Sequence, residues 1–228
     1  LVLKIHLSWD LEPEFRSYLE AALDRSIELS VGEEAPDATA VLVEGRPSVE
    51  NLDRLKSLRA LIIPFAGLPT QTRELLLGYP ELAVFNLHHN ADSTAEMAVS
   101  LMLAAAKRVV PFDSAMRKGQ WNLSSMPEHS SLAGKRVMIL GGGAIGAQVA
   151  RVCLALKMVV AMLRRSGAEA PLPGVSMLRH ENWRGHLAET DVLQLCLPLT
   201  HETEGIIGAQ EIDALPDHSL IVNTARGP

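Results

Sequence analysis

The sequence predicts an α/β protein of two similar domains, each a parallel sheet with helices on both faces. Three observations carry this. Short apolar runs alternate with helix-patterned segments through residues 1–90, the alternation restarts at Lys135, and an apolar helix followed by a polar loop separates the two stretches. Alternation of this kind builds βαβ units, whose crossover helices cover both faces of a parallel sheet. A length of 228 residues suits one or two domains of roughly 100–200 residues each.

In the first stretch, Leu1–Leu7 alternates apolar and polar residues as a half-buried strand does. Pro13 opens a helix that sets Phe15, Leu19, Ala22 and Leu23 on one face, because proline has no N–H to satisfy in a first turn. Ile27–Val31 and Ala40–Val43 are strand-like. From Ser48 to Leu58 the three-residue spacing of Val49, Leu52, Leu55 and Leu58 marks an amphipathic helix, and Leu61–Pro64 and Ala83–Phe85 are further short strands.

Ser93-Thr94-Ala95-Glu96 fits a capping box at a helix start. The helix beyond it, to about Val110, is apolar nearly all round, so it needs cover on several sides, as an element wedged between two domains has. Pro111 is expected to end it, and the Ser-rich stretch from Pro127 to Gly134 to link into the next sheet. Beyond it, Arg136–Leu140, Met158–Leu163, Asp191–Leu197 and Ser219–Asn223 read as strands and Ala144–Leu156 as a helix. The expected domains are residues 1–92 and 93–228, with 93–110 as the interdomain helix.

Composition excludes several classes. The longest largely apolar stretch, Met97–Ala106 with Ser100 inside it, is half the roughly 20 residues a membrane span requires. A balance of 21 basic against 27 acidic residues, net −6, lacks the basic footprint of a nucleic-acid binder. Two cysteines, Cys153 and Cys196, both in apolar stretches, read as buried free thiols of a cytoplasmic protein rather than a disulfide framework. No Cys-His cluster or H-E-x-x-H spacing suggests a metal. Both ends look cut: the chain opens inside a strand without an initiator Met and stops just after another strand.

The chemistry-bearing motif is Gly141-Gly142-Gly143-Ala144-Ile145-Gly146, a G-x-G-x-x-G that follows a strand and opens a helix, the context a dinucleotide fingerprint requires. The first glycine serves a tight turn, the second lets backbone approach a pyrophosphate, and the third lets helix and strand pack closely. The helix N-terminus adds about half a positive charge facing the anion. About twenty residues on, where an NAD-binding unit carries an acid for the ribose, stands Arg164-Arg165-Ser166. A guanidinium cannot accept from a ribose hydroxyl but pairs well with a 2′-phosphate. NADP(H) is therefore expected in preference to NAD(H); the alternative is a solvated strand end, with Glu169 or backbone meeting the ribose.

Together these residues resemble the D-isomer-specific 2-hydroxyacid dehydrogenases. Asn90-Ala91-Asp92-Ser93-Thr94-Ala95-Glu96 is similar to that family's entry into its interdomain helix, and Leu132-Ala133-Gly134-Lys135 to the lead-in of its Gly-rich strand. Cys196-Leu197-Pro198-Leu199-Thr200, Glu202-Thr203 and Gly205-Ile206-Ile207-Gly208 resemble its P-L-T-x-x-T-x-G-L-I block, and Asn223-Thr224-Ala225-Arg226-Gly227 its N-x-A/S-R-G block. The resemblance implies a flavodoxin-like substrate domain joined to an NAD(P)-binding Rossmann domain. It also implies hydride transfer between the cofactor and a small 2-oxo or 2-hydroxy acid, with domains closing about hinges near Asn90 and Pro127. Arg226 would hold the substrate's carboxylate and carbonyl, and the backbone amides of Ala66 and Gly67 would bind the same carboxylate. Leu197, Pro198 and Thr203 would line the adenosine and ribose side, with Thr94, Thr224 and Ala225 near the nicotinamide. A homodimer formed around the interdomain helix is implied as well.

The family's proton donor, a His oriented by a Glu, lies downstream of the N-x-A/S-R-G block, so both are expected to be absent from this chain. His88 and His89 stand at the hinge, where the family more often carries Pro-Gly; they either face the cleft or pack against loops. His129, His180, His186 and His201 sit in polar surroundings and read as surface residues. The competing class is a dinucleotide-binding fragment or sensor without turnover. A hydrolase holding NAD tightly fits the Arg226 block poorly.

Overall fold

The computed structural model describes residues 2–87, 89–121, 130–164 and 169–227. They form two compact units, one running to Asn90 and the other starting at Ala91.

The first unit contains β1 (Leu3–Leu7), α1 (Pro13–Ala22), β2 (Ile27–Val31), β3 (Val41–Val43), α2 (Val49–Arg54), β4 (Ala60–Ile63), α3 (Thr70–Leu76) and β5 (Ala83–Asn86). All pairings are parallel, in the order β2-β1-β3-β4-β5. This is the flavodoxin-like order, which reverses direction between β1 and β3. Its buried cluster joins Ala35, Leu42, Leu55, Leu61 and Ile63. Ser48 caps α2 by accepting from the Asn51 N–H. The sequence showed no helix at Thr70–Leu76, where Thr72 is the one buried residue and the apolar stripe is too short to register.

Helix α1 buries less than its pattern implies. Leu19 and Leu23 are half-buried, whereas Ala22 is exposed and Phe15, 51% exposed, stacks on the exposed ring of Tyr18. His6 of β1 is fully buried, with Nδ1 2.9 Å from Ser30 Oγ and Nε2 2.9 Å from the Gly32 carbonyl oxygen. Burial lowers its pKa, against the opposing effect of the Gly32 bond.

The second unit contains α4 (Ala91–Ala106), α5 (Val109–Arg117), β6 (Arg136–Leu140), α6 (Ala144–Ala155), β7 (Val159–Leu163), β8 (Val175–Leu178), a 3₁₀ helix (Trp183–Glu189), β9 (Val192–Leu195), α7 (Ala209–Asp213) and β10 (Leu220–Asn223). Its sheet, also all parallel, runs β10-β9-β6-β7-β8 and changes direction between β6 and β9, as a Rossmann sheet does. Alternate residues of β6 feed two cores. Val137 and Ile139 join the layer of α4 and α6, while Met138 and Leu140 join Trp183 and Leu187. Two-sided burial explains why these strands read as continuous apolar runs.

Three expectations about the connecting helix are corrected. Helix α4 starts at Ala91, so Ser93 lies inside it and is no N-cap; Asp92 supplies the acid of the first turn and accepts from Gln148 Nε2 at 2.7 Å. It ends at Ala106, and Arg108, at φ 54°, turns the chain into α5. Pro111 therefore sits in the first turn of a new helix, where its missing N–H costs nothing. Nor is α4 covered all round: Ala95, Ala98, Met102 and Ala106 form one buried stripe, while Met97 is 58% and Leu101 46% exposed.

Candidate functional site

In an open parallel sheet, ligands bind beyond the carboxyl ends of the strands where strand order reverses. In the second unit that place is the gap between the ends of β6 and β9, and the Gly-rich loop lies in it. Gly141 leaves β6 at φ +110°, a left-handed conformation that glycine adopts without strain. A Cβ on it would lie 2.6 Å from the Cys196 carbonyl oxygen, at the end of β9. A Cβ on Gly146, in the first turn of α6, would lie 1.9 Å from the Gly141 carbonyl oxygen. Gly143 is different: it is exposed, precedes α6, and a Cβ there would meet nothing within 4 Å. Ala144 is exposed beside it and Ile145 half-buried.

This arrangement fits a dinucleotide. Two glycines permit the strand–turn–helix geometry, and the third leaves open space in front of the N-terminus of a twelve-residue helix, where amide groups and the helix dipole favour an anion. Arg164 is exposed directly after β7, and its Cβ would be 3.1 Å from a Cβ on Gly142, so it stands against the loop. Arg165 and Ser166 lie outside the described residues.

The ends of β9 and β10 carry the two remaining blocks. A cavity of about 150 Å³ has Leu197, Pro198 and Thr203 on one side and Asn223, Ala225 and Arg226 on the other. The Thr203 hydroxyl closes its own loop, accepting from the Thr200 N–H at 2.9 Å and donating to the Pro198 carbonyl at 2.6 Å. Its proton is committed to that turn, so Thr203 shapes the wall. Thr224 is committed likewise, its hydroxyl donating to the Leu195 carbonyl at 3.1 Å. Arg226 is exposed, and its Nη1 donates to the neighbouring Ala225 carbonyl at 2.7 Å. Thr94 is half-buried near the start of α4 and is not part of the cavity lining.

In the first unit, Ala66 and Gly67 follow β4 in a tight turn, with Gly67 exposed at φ +85°. Among the described residues nothing accepts from their backbone N–H groups. Two free amides at a strand end can hold an anion.

A sequence profile described as "D-isomer specific 2-hydroxyacid dehydrogenase, NAD binding domain" matches residues 99–228. The chain belongs to this family. It is 35% identical over 140 residues to a D-3-phosphoglycerate dehydrogenase of Archaeoglobus fulgidus, covering 60% of this chain and 26% of that one. It is 32% identical over 145 residues to a glyoxylate reductase of Thermococcus litoralis, covering 60% and 43%. The matched part thus spans less than half of either relative. A D-isomer specific 2-hydroxyacid dehydrogenase of Xanthobacter autotrophicus, solved in complex with NADPH and MES, shares the fold with a TM-score of 0.80 at 24% identity, covering all of this chain and 74% of that one.

Within this dehydrogenase fold, Asn223, which the motif reading quoted in its block without giving it a role, acquires one. Its Oδ1 accepts from the Ala225 N–H at 2.8 Å and its Nδ2 donates to the Arg226 carbonyl at 3.3 Å, so one side chain holds the turn that presents Arg226. An Asn two residues before a turn amide is the signal that could have found it. Among the histidines, His89, His180, His186 and His201 are exposed, and His88 and His129 lie outside the described residues. No group of three His, Cys, Asp or Glu side chains suited to a metal occurs among the described residues, nor any helix long and apolar enough to cross a membrane. Cys153 is buried and Cys196 half-buried, neither in a disulfide; burial raises both thiols, Cys153 to about 12.

Proposed function

We propose that the protein carrying this chain interconverts a 2-oxo acid and a D-2-hydroxy acid with a nicotinamide dinucleotide, NADP(H) in preference to NAD(H). One observation carries the reading. Three blocks far apart in sequence, Gly141–Gly146, Leu197–Thr203 and Asn223–Arg226, share the carboxyl edge of one Rossmann sheet, with an exposed guanidinium on the last.

When bound, the dinucleotide supplies hydride exchange at its nicotinamide ring. The chain's own residues bind and polarise. Gly143, Ala144 and Ile145 at the start of α6 take the pyrophosphate, while Leu197 and Pro198 line the loop beside it. Arg226 presents a planar, permanently charged fork to the substrate's carboxylate and carbonyl oxygen, drawing electron density from the carbon that receives hydride. The free amides of Ala66 and Gly67 in the first unit are assigned to a carboxylate. Arg164, where an NAD-specific unit carries an acid, supports the preference for a 2′-phosphate.

The second unit exposes Met97 and Leu101 on α4, Val109, Val110 and Met116 on α5, and Trp121 at 78%. An apolar surface of this extent supports a homodimer through α4 and α5. Free thiols support a cytoplasmic, reducing location.

The test is oxidation of NADPH and NADH by the full-length protein with glyoxylate, hydroxypyruvate and longer 2-oxo acids. Turnover that is lost in Arg226→Ala, with NADPH bound more tightly than NADH, is expected. Cofactor binding without turnover of any 2-oxo acid would favour the alternative, a dinucleotide sensor. Tighter binding of NADH would refute the cofactor preference.

A further inference from the structure

Strands β7 and β8 pair in parallel with Leu163 opposite Leu178, so the residues that leave them side by side are Arg164 and Arg179. Neighbouring strands lie about 5 Å apart, which is within the length of an arginine side chain. Both arginines are exposed at the carboxyl edge of the sheet, the edge that carries the Gly-rich loop. Arg164 lies along that loop: a Cβ on Gly142 would be 3.1 Å from its Cβ and 3.2 Å from its Cδ. Gly142 thus connects the loop to the first arginine, and strand register connects the first arginine to the second.

Among the described residues neither guanidinium pairs with a carboxylate, although Glu181 is exposed two residues beyond Arg179. Arg184, on the 3₁₀ helix that follows, behaves differently. Its Nε donates to Glu211 Oε1 at 2.7 Å and its guanidinium lies 4.5 Å from the centre of the Trp183 ring, so it serves the packing of that helix. The Arg179 backbone is fixed by the same helix, its carbonyl accepting from the Asn182 and Trp183 N–H groups at 3.2 Å each. Trp183 is fully buried, which anchors the turn. Arg179 therefore combines a firmly held backbone with an uncommitted charge beside a like charge, an arrangement that repels until an anion joins it.

We propose that Arg179 is a specificity-determining residue for the dinucleotide, closing with Arg164 on the 2′-phosphate of NADP(H). The inference rests on the NADP(H) reading above. A phosphate monoester carries about two negative charges at neutral pH and three acceptor oxygens. Arg164 alone offsets about half of that charge. A second planar fork from the neighbouring strand brings the balance near zero and can take oxygens that the first leaves open. The unphosphorylated ribose of NAD(H) offers neither charge to these residues, so Arg179 acts on the choice between cofactors.

The experiment measures binding to the full-length protein of two ligand pairs: NADPH against NADH by fluorescence titration, and adenosine 2′,5′-bisphosphate against 5′-AMP by calorimetry. The wild type is expected to favour the 2′-phosphorylated member of each pair. Arg179→Gln should cut both preferences about tenfold or more, the scale of hydrogen bonds to a charged group. It should leave the NADH and 5′-AMP dissociation constants within about twofold and the melting temperature unchanged, which a loss of packing would not do. Arg179→Lys keeps the charge without the fork and should recover part of the preference. Lys157→Gln removes the same charge from an exposed position before the amino end of β7 and should alter neither ratio. Rising salt should erode the wild-type preference more steeply than that of Arg179→Gln, because the variant has one screened charge pair fewer. Full preference in Arg179→Gln, or an equal loss in Lys157→Gln, would overturn the assignment while the NADP(H) reading stands. A wild-type protein indifferent to the 2′-phosphate in both pairs would remove that reading and this assignment with it.

Discussion

Two glycines of one hexapeptide should fail in different ways when changed to alanine. At Gly146 the new methyl would lie 1.9 Å from the Gly141 carbonyl oxygen. Real contacts of this kind are no shorter than about 3 Å, so backbone must move by about 1 Å, and no flexible side chain is there to yield. Alanine gains about 1 kcal/mol over glycine inside a helix, whereas overpacking costs typically about 1–3 kcal/mol and sometimes more. Because the clash is with backbone, the upper end applies, leaving a net loss of about 2 kcal/mol. For a chain of this size that is about 4–8 °C in the melting transition of the second unit. At Gly143 a methyl meets nothing within 4 Å, so Gly143→Ala should melt within about 2 °C of the wild type, a few tenths of a kcal/mol separating glycine from alanine in such exposed positions. It would, however, fill the space assigned to the pyrophosphate. Paired thermal unfolding and NADPH fluorescence titrations check both: Gly146→Ala should lose stability and affinity, Gly143→Ala affinity alone. A Gly146→Ala protein of wild-type stability, or a Gly143→Ala protein of wild-type affinity, would refute the roles given to these glycines.

Asp191 governs acid stability at the opposite end of the second sheet. Desolvation pushes its pKa up, but bonds from Lys135 Nζ, the Arg136 N–H and His218 Nε2 outweigh this and hold it below the usual range. Its contribution is therefore complete above the unfolded value of about 3.9 and lost as pH falls through the lower folded value; Asp191→Asn should flatten that part of the urea-unfolding pH profile. Cys153, pushed up to about 12, should resist iodoacetamide at pH 8 until the chain unfolds, as mass spectrometry of native and urea-treated protein would show. Asn223→Ala removes both bonds holding the Arg226 turn, costing about 1 kcal/mol each; substrate kcat/KM should fall about tenfold or more while the NADPH Kd stays within about twofold, and equal losses in both would count against a positioning role. Arg164→Glu should reverse the ratio of NADPH to NADH dissociation constants.

Much of this fold is written in local pattern. The strand Arg136–Leu140 and the helix from Ala144 stand where their apolar patterns put them, the strand because burial on both faces forces apolar residues into a continuous run. The glycine motif was equally legible, since its spacing encodes backbone requirements that hold wherever it folds. Short or weakly buried elements were not: α3 has one buried residue, and α5 begins at a left-handed Arg108 that nothing in the local sequence announces. Pro111 misled for a physical reason, because the same missing N–H that breaks a helix interior is harmless in a first turn.

By itself, then, the sequence determined the α/β class, the dinucleotide loop and the blocks that carry the family's chemistry, all of which depend on residues within about ten positions of one another. Only the tertiary structure decided what those blocks do together. It brings Leu197 and Arg226 onto one cavity, commits the Thr203 hydroxyl to its own loop, assigns the Arg226 turn to Asn223, and sets Arg179 beside Arg164 at the ends of neighbouring strands. Strand order and register make these juxtapositions, and both arise from long-range pairing that no local period records.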